Sequence, residues 1–177
     1  MTSLPPARDL LRYQAARLGL GTLDADSIKG TIVELMADGF YDDECPNALD
    51  AFPHPRMEDV LPAFKAALAH YGVPLPDSEA AIWLLIEYRT RRMASGDADA
   101  VEELCRLIED VYYAYDFHSP TRRFLGDSHD IERLIGLYWG SEELRKGPGE
   151  TPASDEALVA LNWDIRTEAR RWLAKHP

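Results

Sequence analysis

The stretch Asp59-Val-Leu-Pro-Ala-Phe-Lys-Ala-Ala-Leu-Ala-His-Tyr-Gly-Val-Pro-Leu-Pro-Asp-Ser-Glu-Ala-Ala-Ile-Trp-Leu-Leu-Ile86 reads as two helices with a stop between them. Val60, Leu61, Phe64, Ala67, Leu68 and Tyr71 fall on one face of a helix that follows Asp59. Pro62 suits its first turn, where a missing N–H costs nothing. Gly72 and Pro74 end it. Asp77 or Ser78 then starts a second helix with Ala81, Ile82, Leu85, Ile86 and Arg89 on its face. Trp83, Leu84 and Tyr88 widen that face, which marks a central helix, and Gly96 closes it.

The same pattern of cap, apolar stripe and glycine extends in both directions. Toward the N-terminus, Ser3 caps a helix with Leu4, Ala7, Leu11, Ala15 and Leu18 on one face, ended by Gly19. Another starts near Asp26 or Ser27 and carries Ile28, Ile32, Leu35 and Met36, with Gly39 in the left-handed position after it. Toward the C-terminus, Asp97 or Asp99 opens a helix with Val101, Leu104, Cys105, Ile108 and Val111. Ser128 caps one with Ile131, Leu134, Ile135 and Tyr138. Ser154 or Asp155 opens the last, with Leu158, Leu161, Ile165, Ala169 and Trp172 on its face. No segment alternates apolar and polar residues long enough for a strand. The expectation is an all-α chain: a single-domain antiparallel helical bundle or array of about seven helices over residues 1–177. Lys146-Gly-Pro-Gly-Glu150 is a break, and residues 148–177 form a C-terminal helix packed on the same domain.

The chain has 177 residues, 46% hydrophobic and 28% charged, which suits a folded globular protein. Its formal net charge is -12. Phosphate-rich partners are repelled by that balance, so nucleic acid and anionic membrane are disfavoured and a basic protein is attracted. The N-terminal residues hold no apolar signal region, and no window is apolar enough to cross a bilayer, so the expected location is the cytoplasm. Cys45 and Cys105 do not suggest a disulfide framework. Cys105 reads as a small core residue, and the acids beside Cys45 disfavour its thiolate.

Two stretches stand out as candidate sites. The first is Gly39-Phe-Tyr-Asp-Asp-Glu-Cys-Pro-Asn-Ala-Leu-Asp-Ala-Phe52, a loop that crowds carboxylates among rings. Phe40, Tyr41, Asp42, Asp43, Glu44 and Asp50 are its candidate partner-binding residues, since aromatic anchors beside charge suit an interface. The bland alternative is a solvated acidic loop with Tyr41 covering the preceding helix. The second stretch runs from Tyr115 to Asp130 and gathers Asp116, His118, Asp127, His129 and Asp130. Imidazoles and carboxylates together can hold zinc or another divalent ion, so His118, His129 and Asp130 are candidate metal ligands of a hydrolase. The pair His129-Asp130 resembles the His-Asp pair of the metal-dependent HD phosphohydrolases, with His70 and Asp164 available for the remaining positions. Helix capping by Asp127 or Ser128, with Asp130 complementing the dipole, accounts for the same residues.

Arg89, Arg91 and Arg92 form the main basic cluster and Arg122 with Arg123 a second. They could hold an anion or close a helix end beside acidic neighbours. The rings of Tyr112, Tyr113, Tyr115, Phe117 and Phe124 divide between core and surface. No phosphate-binding loop, dinucleotide turn, nucleophile elbow, HExxH or CxxC occurs, and no cofactor is called for.

The segments Glu34-Leu-Met-Ala-Asp-Gly-Phe-Tyr-Asp-Asp-Glu44, Phe64-Lys-Ala-Ala-Leu-Ala-His-Tyr-Gly-Val-Pro-Leu-Pro-Asp-Ser-Glu-Ala-Ala-Ile-Trp83 and Arg92-Met-Ala-Ser-Gly-Asp97 resemble small uncharacterised bacterial all-α proteins of the toxin-immunity type. The resemblance covers the middle half of the chain and stops before the His-Asp loop. It implies a non-catalytic, acidic protein-binding domain that acts as an immunity-type inhibitor of a basic, toxin-like protein. It carries no catalytic residues.

Overall fold

The structure, a computed structural model, describes residues 6–50, 54–111, 129–146 and 154–177. The described residues form eight helices and no strand: α1 Pro6–Gly19, α2 Ala25–Ala37, α3 Cys45–Asp50, α4 Met57–His70, α5 Ser78–Ser95, α6 Ala100–Val111, α7 Glu132–Lys146 and α8 Asp155–Lys175. The all-helical expectation holds. The chain divides into two compact units, Met1–Leu84 and Leu85–Pro177, and the boundary falls within α5.

In the first unit α2 packs against α1, α3 and α4, and α3 also packs against α4. Leu11 and Ala15 of α1, Ile28, Ile32 and Leu35 of α2, Cys45 and Ala48 of α3, and Val60, Phe64 and Ala67 of α4 are fully buried in one apolar core. Each fully buried Leu, Ile or Phe contributes about 1.5–3 kcal/mol relative to exposure. One polar pair crosses that core, Gln14 Nε2 donating to Thr31 Oγ1 at 3.2 Å, while the Thr31 hydroxyl donates to the Ser27 carbonyl. Burial without such partners would be costly for both groups.

The helix ends of this unit follow one scheme. After α2, the Gly39 N–H donates to the Met36 carbonyl at 3.0 Å and the Phe40 N–H to the Leu35 carbonyl at 2.9 Å. After α4, Gly72 donates to Ala69 and Val73 to Leu68. After α1 the same pair of bonds runs from Gly21 to Leu18 and from Thr22 to Arg17. These are Schellman closures, with a glycine at positive φ in each. Gly19, the expected terminator, is the last residue of α1, while Gly21 beyond it supplies the positive φ. A Cβ at Gly19 would meet the Pro76 carbonyl oxygen at 3.2 Å, so close approach, not chirality, accounts for the glycine.

Three starts also differ from expectation. Asp24 caps α2, accepting from the Ser27 N–H at 2.7 Å, two residues before the expected start. α4 begins at Met57, so Pro62 sits in its interior and Asp59 in its first turn, where its carboxylate accepts from the Arg56 N–H at 3.1 Å. α7 begins at Glu132, four residues beyond the expected cap Ser128, which is outside the described residues together with Ser3, Leu4, Phe52, the Tyr112–Ser128 stretch and the 147–153 break.

The second unit is built from the latter part of α5 with α6, α7 and α8. Its buried apolar residues include Leu85, Ile86 and Met93, Leu104 and Leu107, Ile131 and Leu134, and Ile165 and Trp172. α8 serves the ends of its neighbours. Arg166 donates to the Met93 carbonyl at 3.1 Å and the Ala98 carbonyl at 2.7 Å, and Asn162 Oδ1 accepts from the Ala100 N–H that opens α6. Cys105 is half-buried, not a core residue, and Leu158 and Trp139 are exposed.

Gly30 and Gly39 separate backbone conformation from packing. A Cβ at either meets open space, but Gly39 has φ +94 and Gly30 lies within α2. Gly39→Ala is expected to lower the unfolding free energy by about 1–2 kcal/mol. Gly30→Ala is expected to raise it by about 0.4–1 kcal/mol. Urea unfolding of both variants followed by circular dichroism checks the opposite signs.

Candidate functional site

The acidic stretch after α2 is shaped by the closure at Gly39. The backbone reverses there, and Phe40 falls back onto the last turn of its own helix. Phe40 is buried, with its ring edge-on to His70 at 5.3 Å and tilted to Tyr71 at 6.0 Å. Of the expected contact residues, Phe40 therefore belongs to the core. Tyr41 points the other way and is 65% exposed.

Beyond Tyr41 the expected loop is partly a helix. Asp42 Oδ1 accepts from the Glu44 N–H at 3.0 Å, the Asp42 carbonyl accepts from the Cys45 N–H, and α3 begins. Cys45 and Ala48, three apart, face inward and are fully buried. Lys29 Nζ donates to the Leu49 carbonyl at 2.9 Å, placing a cation at the C-terminal end of α3, where the helix dipole favours it. This leaves Asp43, Glu44 and Asp50 exposed and Asp42 half-buried.

Glu44, Asn47 and Asp50 of this segment face Glu58, Asp59 and Pro62 of α4 across an open groove of about 430 Å³. Asn47 holds the Glu44 carboxylate at 3.1 Å. Arg56 is the cation at the rim, 2.8 Å from Glu58 and 3.4 Å from Asp59. Pro62 has no N–H for the Glu58 carbonyl one turn before it, and both residues line the groove. Between Asp38 and Asp59 the chain carries seven carboxylates and one arginine, so a net negative field remains after Arg56 is counted. Sequence reasoning missed Glu58 and Asp59. Their signal was this run of acids, which continues past the loop into the next helix.

The His-Asp loop is divided by the structure. The His129 side chain is buried, and its carbonyl accepts from Trp172 Nε1 at 2.9 Å. Asp130 turns away at φ 57, and its carboxylate meets Lys175 Nζ at 2.6 Å and His176 Nε2 at 3.1 Å. The hydrogen bond from Lys175 holds the Asp130 carboxyl below the usual carboxylate range. His118 lies outside the described residues. Among the described residues no three His, Cys, Asp or Glu side chains are placed to hold a metal ion. Of the other positions considered with that pair, His70 packs between Phe40 and Tyr71, and Asp164 lies exposed on α8.

The basic cluster is committed within the second unit. Arg89 is buried and donates through Nε and Nη2 to Asp110 Oδ2, at 3.0 and 2.9 Å, and through Nη1 to Glu103 Oε2 at 2.8 Å. Arg92 Nε donates to the other Glu103 oxygen at 2.8 Å, and Arg91 pairs with Glu87 one turn back. Glu103 and Asp110 are seven apart on α6, within its buried stripe. Burial by itself raises the Glu103 carboxyl, but hydrogen bonds from Arg92 and Arg89 outweigh it and hold the group below its ordinary value near 4.5. The arrangement satisfies charge inside the fold and leaves no free face on Arg89 for an anion.

Removing one member of such a buried group strands the others, which typically costs about 3–5 kcal/mol. Glu103→Ala is expected to lose that much, measured by denaturant unfolding at neutral pH. The sign of the acid dependence follows from the lowered carboxyl. The folded state takes up this proton less readily than the unfolded chain, so the contribution is complete above about pH 4.5 and is lost as pH falls through the lower folded value. A series of unfolding curves below pH 5 is expected to be flatter for Glu103→Ala than for the parent.

No helix among the described residues is long and apolar enough to cross a membrane. No protein-family model, no curated protein and no solved structure matches the chain.

Proposed function

We propose that this chain is a non-catalytic protein-binding domain that presents the acidic groove between α3 and α4 to a basic protein partner, acting as an immunity-type inhibitor of a bacterial toxin. The observation that carries this reading is an exposed ring, Tyr41 at 65%, three residues before Glu44, which lines an acidic groove with Asp50, Glu58 and Asp59. A ring held on a helix-closing turn loses little conformational freedom on binding, and tyrosine is enriched among residues that dominate interface energies. The carboxylates of the groove supply long-range attraction that speeds encounter with a cationic surface and weakens with salt. A lysine-rich or arginine-rich active-site cleft, such as a nucleic-acid-cleaving domain carries, has the complementary field.

The hydrolase reading has less support, because the Asp130 carboxylate is already bound to Lys175 and His176.

The test uses the product of the gene adjacent to this one as the partner. Calorimetry or surface binding is measured for the parent chain, for Tyr41→Ala, and for the triple change of Asp43, Glu44 and Asp50 to Lys. Asp42 is left intact because its carboxylate closes the turn into α3. Each variant is expected to bind at least about tenfold more weakly, which is about 1.4 kcal/mol. The triple variant is also expected to show a shallower dependence of affinity on salt. Equal affinity for parent and triple variant removes the groove from the function.

A further inference from the structure

α8 has a second, unrelated face. Leu161, Ile165, Ala169 and Trp172 line its buried side. Val159 and Trp163 lie one turn apart on the other side and are 70% and 64% exposed, with Leu158 half-exposed beside them. They form a shallow apolar depression of about 610 Å³ together with Ala160, and Asp155, Glu156 and Asp164 stand around it. Asp155 and Glu156 are also favoured in a first helical turn by the dipole. That reason does not reach Asp164, in the middle of the helix, nor does any local preference place β-branched valine and tryptophan in water there.

The charged residues that line the depression are of one sign. From Asp155 to Asp164 the helix carries three carboxylates and no lysine or arginine. The next cation, Arg166, has its guanidinium on the Met93 and Ala98 carbonyls. A second copy of the chain seated on this face would bring equal clusters of carboxylates together, since a two-fold interface pairs each patch with itself. A cationic partner meets no such repulsion.

We infer that the N-terminal half of α8 is a docking face for an amphipathic helix with apolar anchors flanked by basic residues. Val159 and Trp163 receive the anchors at their i and i+4 spacing, and Asp155, Glu156 and Asp164 pair with the flanking cations. The inference is independent of the groove between α3 and α4.

The probe is a fluorescent synthetic helix with leucines along one face and lysines on its flanks, titrated with the full chain by anisotropy. The parent is expected to bind it, and Trp163→Ala combined with Val159→Ala to weaken binding about tenfold or more. Both residues are exposed, so the variant is expected to keep the parent's helical spectrum. Replacing the peptide's leucines by serine, or its lysines by glutamate, is expected to abolish binding. Tyr41→Ala and the Asp43, Glu44 and Asp50 to Lys variant are expected to bind the peptide like the parent. Equal affinity of the Trp163 variant overturns the inference, as does full binding of the serine peptide. A peptide response that follows the groove variants instead of Trp163 overturns it too. So does a parent chain that sediments as a dimer and becomes monomeric on Trp163→Ala.

Discussion

A helix leaves donors at one end and acceptors at the other without intrahelical partners, and a chain made of helices must satisfy them all at its turns. That requirement governs both units. In the first, left-handed glycines let the backbone satisfy its own carbonyls: Gly21, Gly39 and Gly72 close α1, α2 and α4. In the second, side chains do much of this work, with Arg166 on the carbonyls after α5 and Asn162 on the first N–H of α6. The closure at Gly39 also decides the surface. It turns Phe40 inward and Tyr41 outward, so a backbone need sets which of two adjacent rings reaches solvent.

The two units handle polar burial differently. The first buries the neutral pair Gln14 and Thr31 in an otherwise apolar core. The second buries a guanidinium between two carboxylates. An isosteric apolar core is often as stable as a buried ion group, whereas a half-dismantled one is far worse. Arg89, Glu103 and Asp110 thus constrain one another, and the geometry between α5 and α6 is fixed by directional bonds instead of by area alone.

Much of the fold was legible. Gly39, Gly72 and Gly96 stand at positive φ where the stop signals placed them, and Asp77 and Ser154 accept from the helix N–H groups that they were expected to cap. α3 was not legible, because six residues are too few for a period to show. Only Cys45 and Ala48 mark its inner side. Gly19 and Gly21 were indistinguishable, since the choice rests on the Pro76 carbonyl, far along the chain. The acid and the ring of the candidate site were visible in sequence, but the groove was not, because Glu58 and Asp59 join it through tertiary packing. Arg89 looked like part of an accessible cluster because its partners lie 14 and 21 residues away. Leu158 fitted the apolar period of α8, yet the core takes the helix from Leu161 onward.

The two cysteines lie in different units, Cys45 with no exposed surface in the first and Cys105 half-buried in the second. A thiol reagent cannot reach Cys45 until the packing of α3 against its neighbours opens. Where reclosing outpaces labelling, its labelling rate in native buffer therefore reports the free energy of opening around α3. The chain thus carries a built-in clock for local opening next to the groove, and a bound partner that clamps α3 would slow it.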